Sequence, residues 1–244
     1  MITTKNEIES LVLGRAVLEI RAFQAGDDFP GEEKRFRQEH DPLYAFCKVA
    51  VEDLGAVHQL EDNGFRFIET QLKLSLKMKS YDASKYPYSY VPVEPGDLET
   101  VLGMAETIFS DDRFSVDPFI KERFAGKAAG ERYRRYVTKS FEAPDECVYK
   151  MVNDATKEIV GFGTHRHTTQ DEAVILIGGI VSIYQKAGLG PISDFLAINN
   201  LRREGVKKAY THVSARNYAI MNLEIAGLGF KVIDSHVVLR KVYE

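Results

Sequence analysis

The chain has 244 residues, 44% of them apolar and 28% charged, enough apolar material for one large or two small folded domains; disordered and collagen-like classes are excluded. Thirty-two Lys and Arg against 36 Asp and Glu leave a formal net charge of −4, so the composition offers no general attraction to nucleic acid. Two isolated cysteines, Cys47 and Cys147, can build neither a disulfide framework nor a Cys-x-x-Cys site and suit a reducing compartment. The N-terminus lacks the basic and then apolar runs of a signal peptide, and no apolar run approaches the ~18 residues of a spanning helix. A soluble, cytoplasmic protein with no membrane partner is expected.

In chain order, the first patterned elements are a strand at 48–51, a helix carrying Leu54, Val57 and Leu60, and a strand after Gly64 and Phe65. The polar, irregular stretch 77–92 places a domain boundary near residue 83, giving domains 1–83 and 84–244. A strand at 88–93 leads to a helix with Asp97 as N-cap and Leu98, Val101, Leu102, Ala105, Ile108 and Phe109 on one face. Asp117-Pro118 is a favoured helix start, and the spacing predicts a helix from there to about residue 141. Strand periodicity follows at 146–152, 159–165 and 173–183, with hairpin turns between, and the third strand is apolar on both faces, as a central strand is. A glycine-rich turn, Gln185-Lys-Ala-Gly188-Leu-Gly190, opens a helix through Ile192, Phe195, Leu196, Ile198 and Leu201 that ends at Arg202, Arg203 and Gly205. A strand at 207–213, a helix from Asn217 to about residue 226 and one or two strands over 230–243 complete the chain.

The early elements echo the ending. At one constant offset Gly64, Phe65, Ile68 and Leu74 fall on Gly229, Phe230, Ile233 and Leu239, so a strand, helix, Gly-Phe, strand unit is used twice. The glycine-rich turn has no counterpart in the first 80 residues, which confines ligand binding of that kind to the second copy.

Glycines let backbone curl so that several N–H groups converge, and a helix N-terminus adds partial positive charge; the segment 185–190 is therefore predicted to cradle a phosphate or pyrophosphate. A P-loop is excluded because Gly190 is followed by Pro191 and Ile192 rather than Lys-Ser/Thr. A dinucleotide fingerprint lacks its third glycine and its place early in a βαβ unit.

Gln-x-x-Gly-x-Gly between a central strand and a helix, then a strand, then Asn217 opening a helix that ends in Gly229-Phe230, resembles the GCN5-related N-acetyltransferase (GNAT) family over residues 88–244. The degenerate N-terminal half and the segments around Phe109 to Asp117 and Tyr133 to Tyr136 are similar to dTDP-fucosamine acetyltransferases. The resemblance implies an α+β (α/β) GNAT fold: a mixed, mostly antiparallel sheet with splayed central strands flanked by helices, plus a smaller N-terminal α/β half. It implies acetyl-CoA as cosubstrate, with the pyrophosphate on the amides of Gln185, Lys186, Ala187, Gly188, Leu189 and Gly190, and with Pro191 contributing none. The pantetheine arm is then expected along Ile180, Val181 and Ser182, with Ile180 N–H polarising the thioester carbonyl and Asn217 reaching the arm. The acceptor implied is a small molecule bearing a primary amine, a dTDP-linked 4-amino-4,6-dideoxy sugar among the candidates, and a homodimer fits the family.

The sequence departs from the family where a Tyr often protonates the departing thiolate: that position is Ile225. His212 and Tyr218 are the expected replacements in catalysis, with Tyr184 nearby. Arg113, Phe114 and Asp117 are expected at the acceptor, Arg113 as a phosphate partner. Tyr133 and Tyr136 sit at helical spacing, which packing explains. His165 and His167 lie two apart on a strand and so on one face, but no third ligand stands at a helpful spacing; no metal is expected, and the pair is read as solvent-facing or as a substrate contact. Cys147 is placed away from the loop, so direct transfer in a ternary complex is expected rather than an acyl-cysteine. The rival readings are a non-catalytic acyl-CoA-binding regulatory module and an acetyltransferase for an antibiotic or a protein amine.

Overall fold

A computed structural model describes residues 1–110, 118–119, 121 and 127–243. The chain divides into two compact units, the first comprising Met1–Lys73, Val213–Met221 and Val232–Glu244 and the second Leu74–His212 and Asn222–Lys231.

In the first unit short polar side chains start the helices. Asn6 accepts from Glu9 N–H ahead of α1 (Glu7–Leu13), Asp28 accepts from Gly31 N–H ahead of α2 (Phe29–His40), and Asp53 accepts from Ala56 N–H ahead of α3 (Leu54–Asp62), each at 3.0 Å. Each bond satisfies one N–H that the helix leaves over. β1 (Ile2–Lys5) pairs antiparallel with β2 (Val17–Arg21), and β2 pairs parallel with β3 (Tyr44–Ala50) from Val17↔Tyr44 to Ile20↔Cys47. β10 (Lys231–Val242), the last strand of the chain, pairs antiparallel with β3 from His236↔Ala50 to Val242↔Tyr44. The core gathers Leu18, Ile20, Phe29, Phe36, Leu60, Phe65 and Leu239, with Phe29 edge-on to Phe65 at 5.2 Å between centroids.

In the second unit β5 (Tyr88–Pro92), β6 (Glu146–Asn153), β7 (Ile159–His167) and β8 (Glu172–Ile180) form antiparallel pairs in sequence, and β9 (Lys208–Ser214) runs parallel to β8. Side chains alternate across this sheet. One face receives α4 (Leu98–Ile108) and α5 (Lys127–Glu142), where Val101, Leu102, Ala105 and Val137 pack with Val148 and Phe162. The other receives α7 (Gly190–Arg203), whose Ile192, Phe195 and Leu196 pack with Tyr90, Tyr149 and Ile180. Tyr133 of α5 stacks on Phe109 at 4.2 Å, and Arg132 lies over Tyr133 and Tyr136.

β4 (Arg66–Lys77) begins in the first unit and ends in the second. The repeated unit keeps its punctuation: Gly64 and Gly229 both adopt left-handed backbone, at φ 86° and 82°, and the phenylalanine after each is buried. Only a residue without Cβ takes that conformation at little cost, which is why glycine marks both positions.

Several expectations are corrected. The units are not a contiguous pair split near residue 83: the division falls inside β4, and β10 groups with the N-terminal elements. β8 stops at Ile180 rather than near 183, because Ser182–Lys186 form a short helix, α6. Asp97 is the N-cap residue of α4 as expected, but its side chain makes no capping bond; its carboxylate accepts from Glu94 N–H and pairs with Lys150. The start of the helix expected from Asp117 lies outside the described residues, and its described part is α5. Among the described residues no helix is long and apolar enough to cross a membrane.

Candidate active site

β8 and β9 pair through Glu172↔Lys208, Ala173↔Ala209 and Val174↔Tyr210, and among the described residues no ladder pair follows, although β8 continues to Ile180. Two neighbouring parallel strands that part leave backbone N–H and C=O groups on their facing edges without sheet partners, a slot able to take an extended, amide-containing chain by β-like hydrogen bonds. The slot side of β8 ends at Ile180, which is buried and pairs with Gly161 of β7 on its other edge.

Past the end of β8 the chain turns through α6 and residues 187–189 into α7. The segment 185–190 is less open than its glycines imply. Gln185 and Lys186 are helical, Gly188 N–H donates to Gln185 C=O at 2.9 Å, and Leu189 N–H donates to Tyr184 C=O at 3.2 Å. Gly188 takes φ 77° with open space where a Cβ would stand, and no side chain caps α7 at Leu189. The exposed N-terminus of a 14-residue helix entered through a left-handed glycine therefore keeps its partial positive charge for an anion. Gln185 ties this turn to the slot: its Nε2 donates to Ile180 C=O at 2.6 Å. These residues fit a pyrophosphate at the turn and an extended arm beside Ile180, Val181 and Ser182, provided that Gly188 and Leu189 exchange their internal bonds for phosphate.

Of the expected catalytic side chains, His212 is exposed on β9 and Tyr218 is 71% exposed at the start of α8 (Tyr218–Asn222), in the first unit. Asn217 accepts from Ile220 N–H at 3.3 Å, so its carboxamide oxygen serves as the cap of α8. Tyr184 donates to Glu158 at 2.8 Å. Ile225 lies in the π-helical turn Leu223–Leu228 that continues α8. Arg113, Phe114 and Asp117 lie outside the described residues.

Two carboxyl groups escaped the sequence reading. Burial raises the Asp194 carboxyl on α7 to about 7. Burial, and then the nearby Asp194, raises Glu224 in the π-helical turn to about 8. Glu224 Oε2 is buried and has no hydrogen-bond partner among the described residues. Carboxyl groups that titrate near neutral pH are suited to giving and taking protons. Isolated acids in amphipathic helices carry no sequence signal for this, because the shift arises from packing that brings two elements together.

His165 and His167 are also corrected: His165 is buried, and both donate toward one oxygen of Glu204, at 3.0 and 3.1 Å. Burial works to raise the Glu204 carboxyl, but the hydrogen bonds from His165 and Tyr149 outweigh it and hold the group at about 2. Cys147 stands on β6 directly across from His165.

No family model matches the chain. It is 25% identical over 162 residues to the spore coat polysaccharide biosynthesis protein SpsD of Bacillus subtilis (strain 168), a match covering 63% of this chain and 53% of that protein; the chain thus spans about half the length of the curated relative it matches. Among solved structures it is similar to a GCN5-related N-acetyltransferase from Sphaerobacter thermophilus, with TM-score 0.66 and 14% identity over 98% of this chain and 76% of that one. It is similar also to a GCN5-related N-acetyltransferase from Kribbella flavida, with TM-score 0.57 and 12% identity over 94% and 82% of the two chains. A tandem GNAT protein from the clavulanic acid biosynthesis pathway matches with TM-score 0.59 and 16% identity over 93% and 75%. With its parting β8 and β9 and flanking helices, this chain has the GCN5-related N-acetyltransferase fold.

Proposed function

We propose that the chain is an acyl-CoA-dependent N-acetyltransferase that moves an acetyl group from acetyl-CoA to a primary amine on a small acceptor, a nucleotide-linked amino sugar. The parting of β8 from β9 beyond Val174 and Tyr210 carries this reading, since it opens amide-lined edges just ahead of an uncapped helix N-terminus. The sugar acceptor is supported by the likeness to a protein of spore coat polysaccharide biosynthesis.

The backbone from Gln185 to Gly190 holds the pyrophosphate, and Ile180, Val181 and Ser182 line the arm. A neutral amine attacks the thioester carbonyl while Ile180 N–H stabilises the developing oxyanion. The carbon–sulfur bond breaks, and the leaving thiolate takes a proton. Ile225 cannot give one. Glu224, one residue earlier and protonated at neutral pH, is the acid of this scheme; the proton that the nitrogen loses as the amide forms goes to Asp194 beside it and from there restores Glu224.

The test is release of the CoA thiol from acetyl-CoA with nucleotide-linked amino sugars, polyamines and peptide amines offered in turn, beside calorimetric titration with CoA. Acceptor-dependent release, highest with an amino sugar, is expected. CoA binding with no turnover on any amine points to a non-catalytic acyl-CoA-binding module, and absence of CoA binding overturns the reading.

A further inference from the structure

Away from the slot, four side chains with metal-ligating atoms converge beneath the C-terminal end of α7. His165 and His167 alternate onto one face of β7, and Cys147 projects from the directly opposed position of β6. Their ligand atoms all lie within 4.8 Å of one another. Glu204, the C-cap residue of α7, brings one carboxylate oxygen to 3.0 Å from His165 Nε2 and 3.1 Å from His167 Nε2. Around a tetrahedral zinc ion, with Zn–N near 2.0 Å and Zn–S near 2.3 Å, ligand atoms stand roughly 3.3–3.7 Å apart. Movements on the order of 1 Å would therefore close Cys147, His165 and His167 around an ion of that size, with the Glu204 oxygen already against both imidazoles.

The surroundings orient the ligands. The other oxygen of Glu204 accepts from the Tyr149 hydroxyl at 2.7 Å and from Asn200 Nδ2, which turns the remaining oxygen toward the histidines. The Tyr149 ring stacks on the His165 ring at 5.5 Å between centroids and fixes its plane. Metal-binding carboxylates and imidazoles are characteristically braced in this way. Without an ion, two ring N–H groups crowd one carboxylate oxygen and the thiol adds nothing; a divalent cation would use all four groups.

We propose that Cys147, His165, His167 and Glu204 form a structural binding site for a divalent cation with zinc-like preferences. The donor set of one thiolate, two imidazoles and one carboxylate favours zinc over magnesium or calcium. Binding releases the thiol proton and leaves each imidazole neutral, with its ring proton on the nitrogen that does not coordinate. The ion would clamp β6, β7 and the end of α7, whose length of about 20 Å separates it from the turn at Gly188. Its role is stability, independent of the acetyltransferase reading.

The full chain, stripped with chelator, is titrated with Co²⁺ and then Zn²⁺. One equivalent of Co²⁺ is expected to give the strong visible bands of a tetrahedral ion and a sulfur-to-cobalt charge-transfer band, both lost when Zn²⁺ displaces it. Cys147→Ser should abolish the charge-transfer band, and His167→Ala, at a half-exposed strand end, should weaken Zn²⁺ binding at least tenfold and remove the rise in melting temperature that Zn²⁺ gives the parent protein. Tyr149→Phe, with all four ligands intact, should weaken binding by about 10–100-fold. Circular dichroism confirms that each variant is folded. Weak octahedral cobalt spectra, or Zn²⁺ binding indifferent to both Cys147→Ser and His167→Ala, overturn the site.

Discussion

Each unit contains one parallel strand pair bridged by a helix, and the two are finished differently. In the first, β2 and β3 stay paired over four of the five residues of β2, and the bridging α2 is capped by Asp28. In the second, β8 and β9 part after three pairs, and the bridging α7 starts uncapped behind a left-handed Gly188. The first crossover spends its hydrogen-bonding capacity internally and is a packing element; the second leaves capacity at a strand edge and a helix end, where a ligand can use it.

The comparison breaks most sharply in the closed unit's core. Phe29→Ala should cost about 3–5 kcal/mol, read as a shift in denaturant midpoint. In the open unit Gly188→Glu should lower kcat/KM for acetyl-CoA by about a hundredfold or more, by setting a carboxylate against the pyrophosphate and forcing a side chain onto left-handed backbone; unchanged CoA affinity by calorimetry would move the phosphate site elsewhere. Glu224→Gln should reduce kcat by about a hundredfold while sparing CoA affinity.

The same acid pair gives the second unit a pH signature. Because the folded-state values of Asp194 and Glu224, about 7 and about 8, lie above ordinary carboxyl values, the native state holds more protons than the unfolded chain. Their contribution is complete below about pH 4 and declines as pH rises through 7 and 8, by up to about 1.4 kcal/mol per pH unit for each group. Asp194→Asn should flatten that decline in unfolding experiments across pH. The smallest effect falls on the closed crossover, where Asp28→Ala should cost about 1 kcal/mol by melting with acetyl transfer unchanged.

The strands from 146 to 180, the helix behind Gly190 and the Gly-Phe repeat are legible in the sequence because period and punctuation are local properties. The glycine-rich turn is legible as a place, but not in its hydrogen bonding, since the helical state of residues 182–186 depends on how β8 ends. The return of β10 to β3 is a long-range pairing that no window of sequence contains. The Cys147, His165, His167 and Glu204 cluster escapes for the same reason: its ligands come from two strands and a helix end, and only the His-x-His pair is adjacent in the chain.

The pairing of β10 with β3 also fixes a timetable. Residues 44–50 leave the ribosome long before residues 236–242 can reach them, and at about 5–20 residues per second the wait is on the order of ten to forty seconds. During that time the N-terminal elements hold an open sheet edge that β10 must close. Synthesis of β10, rather than emergence of the first half, sets the earliest moment at which that half can be finished.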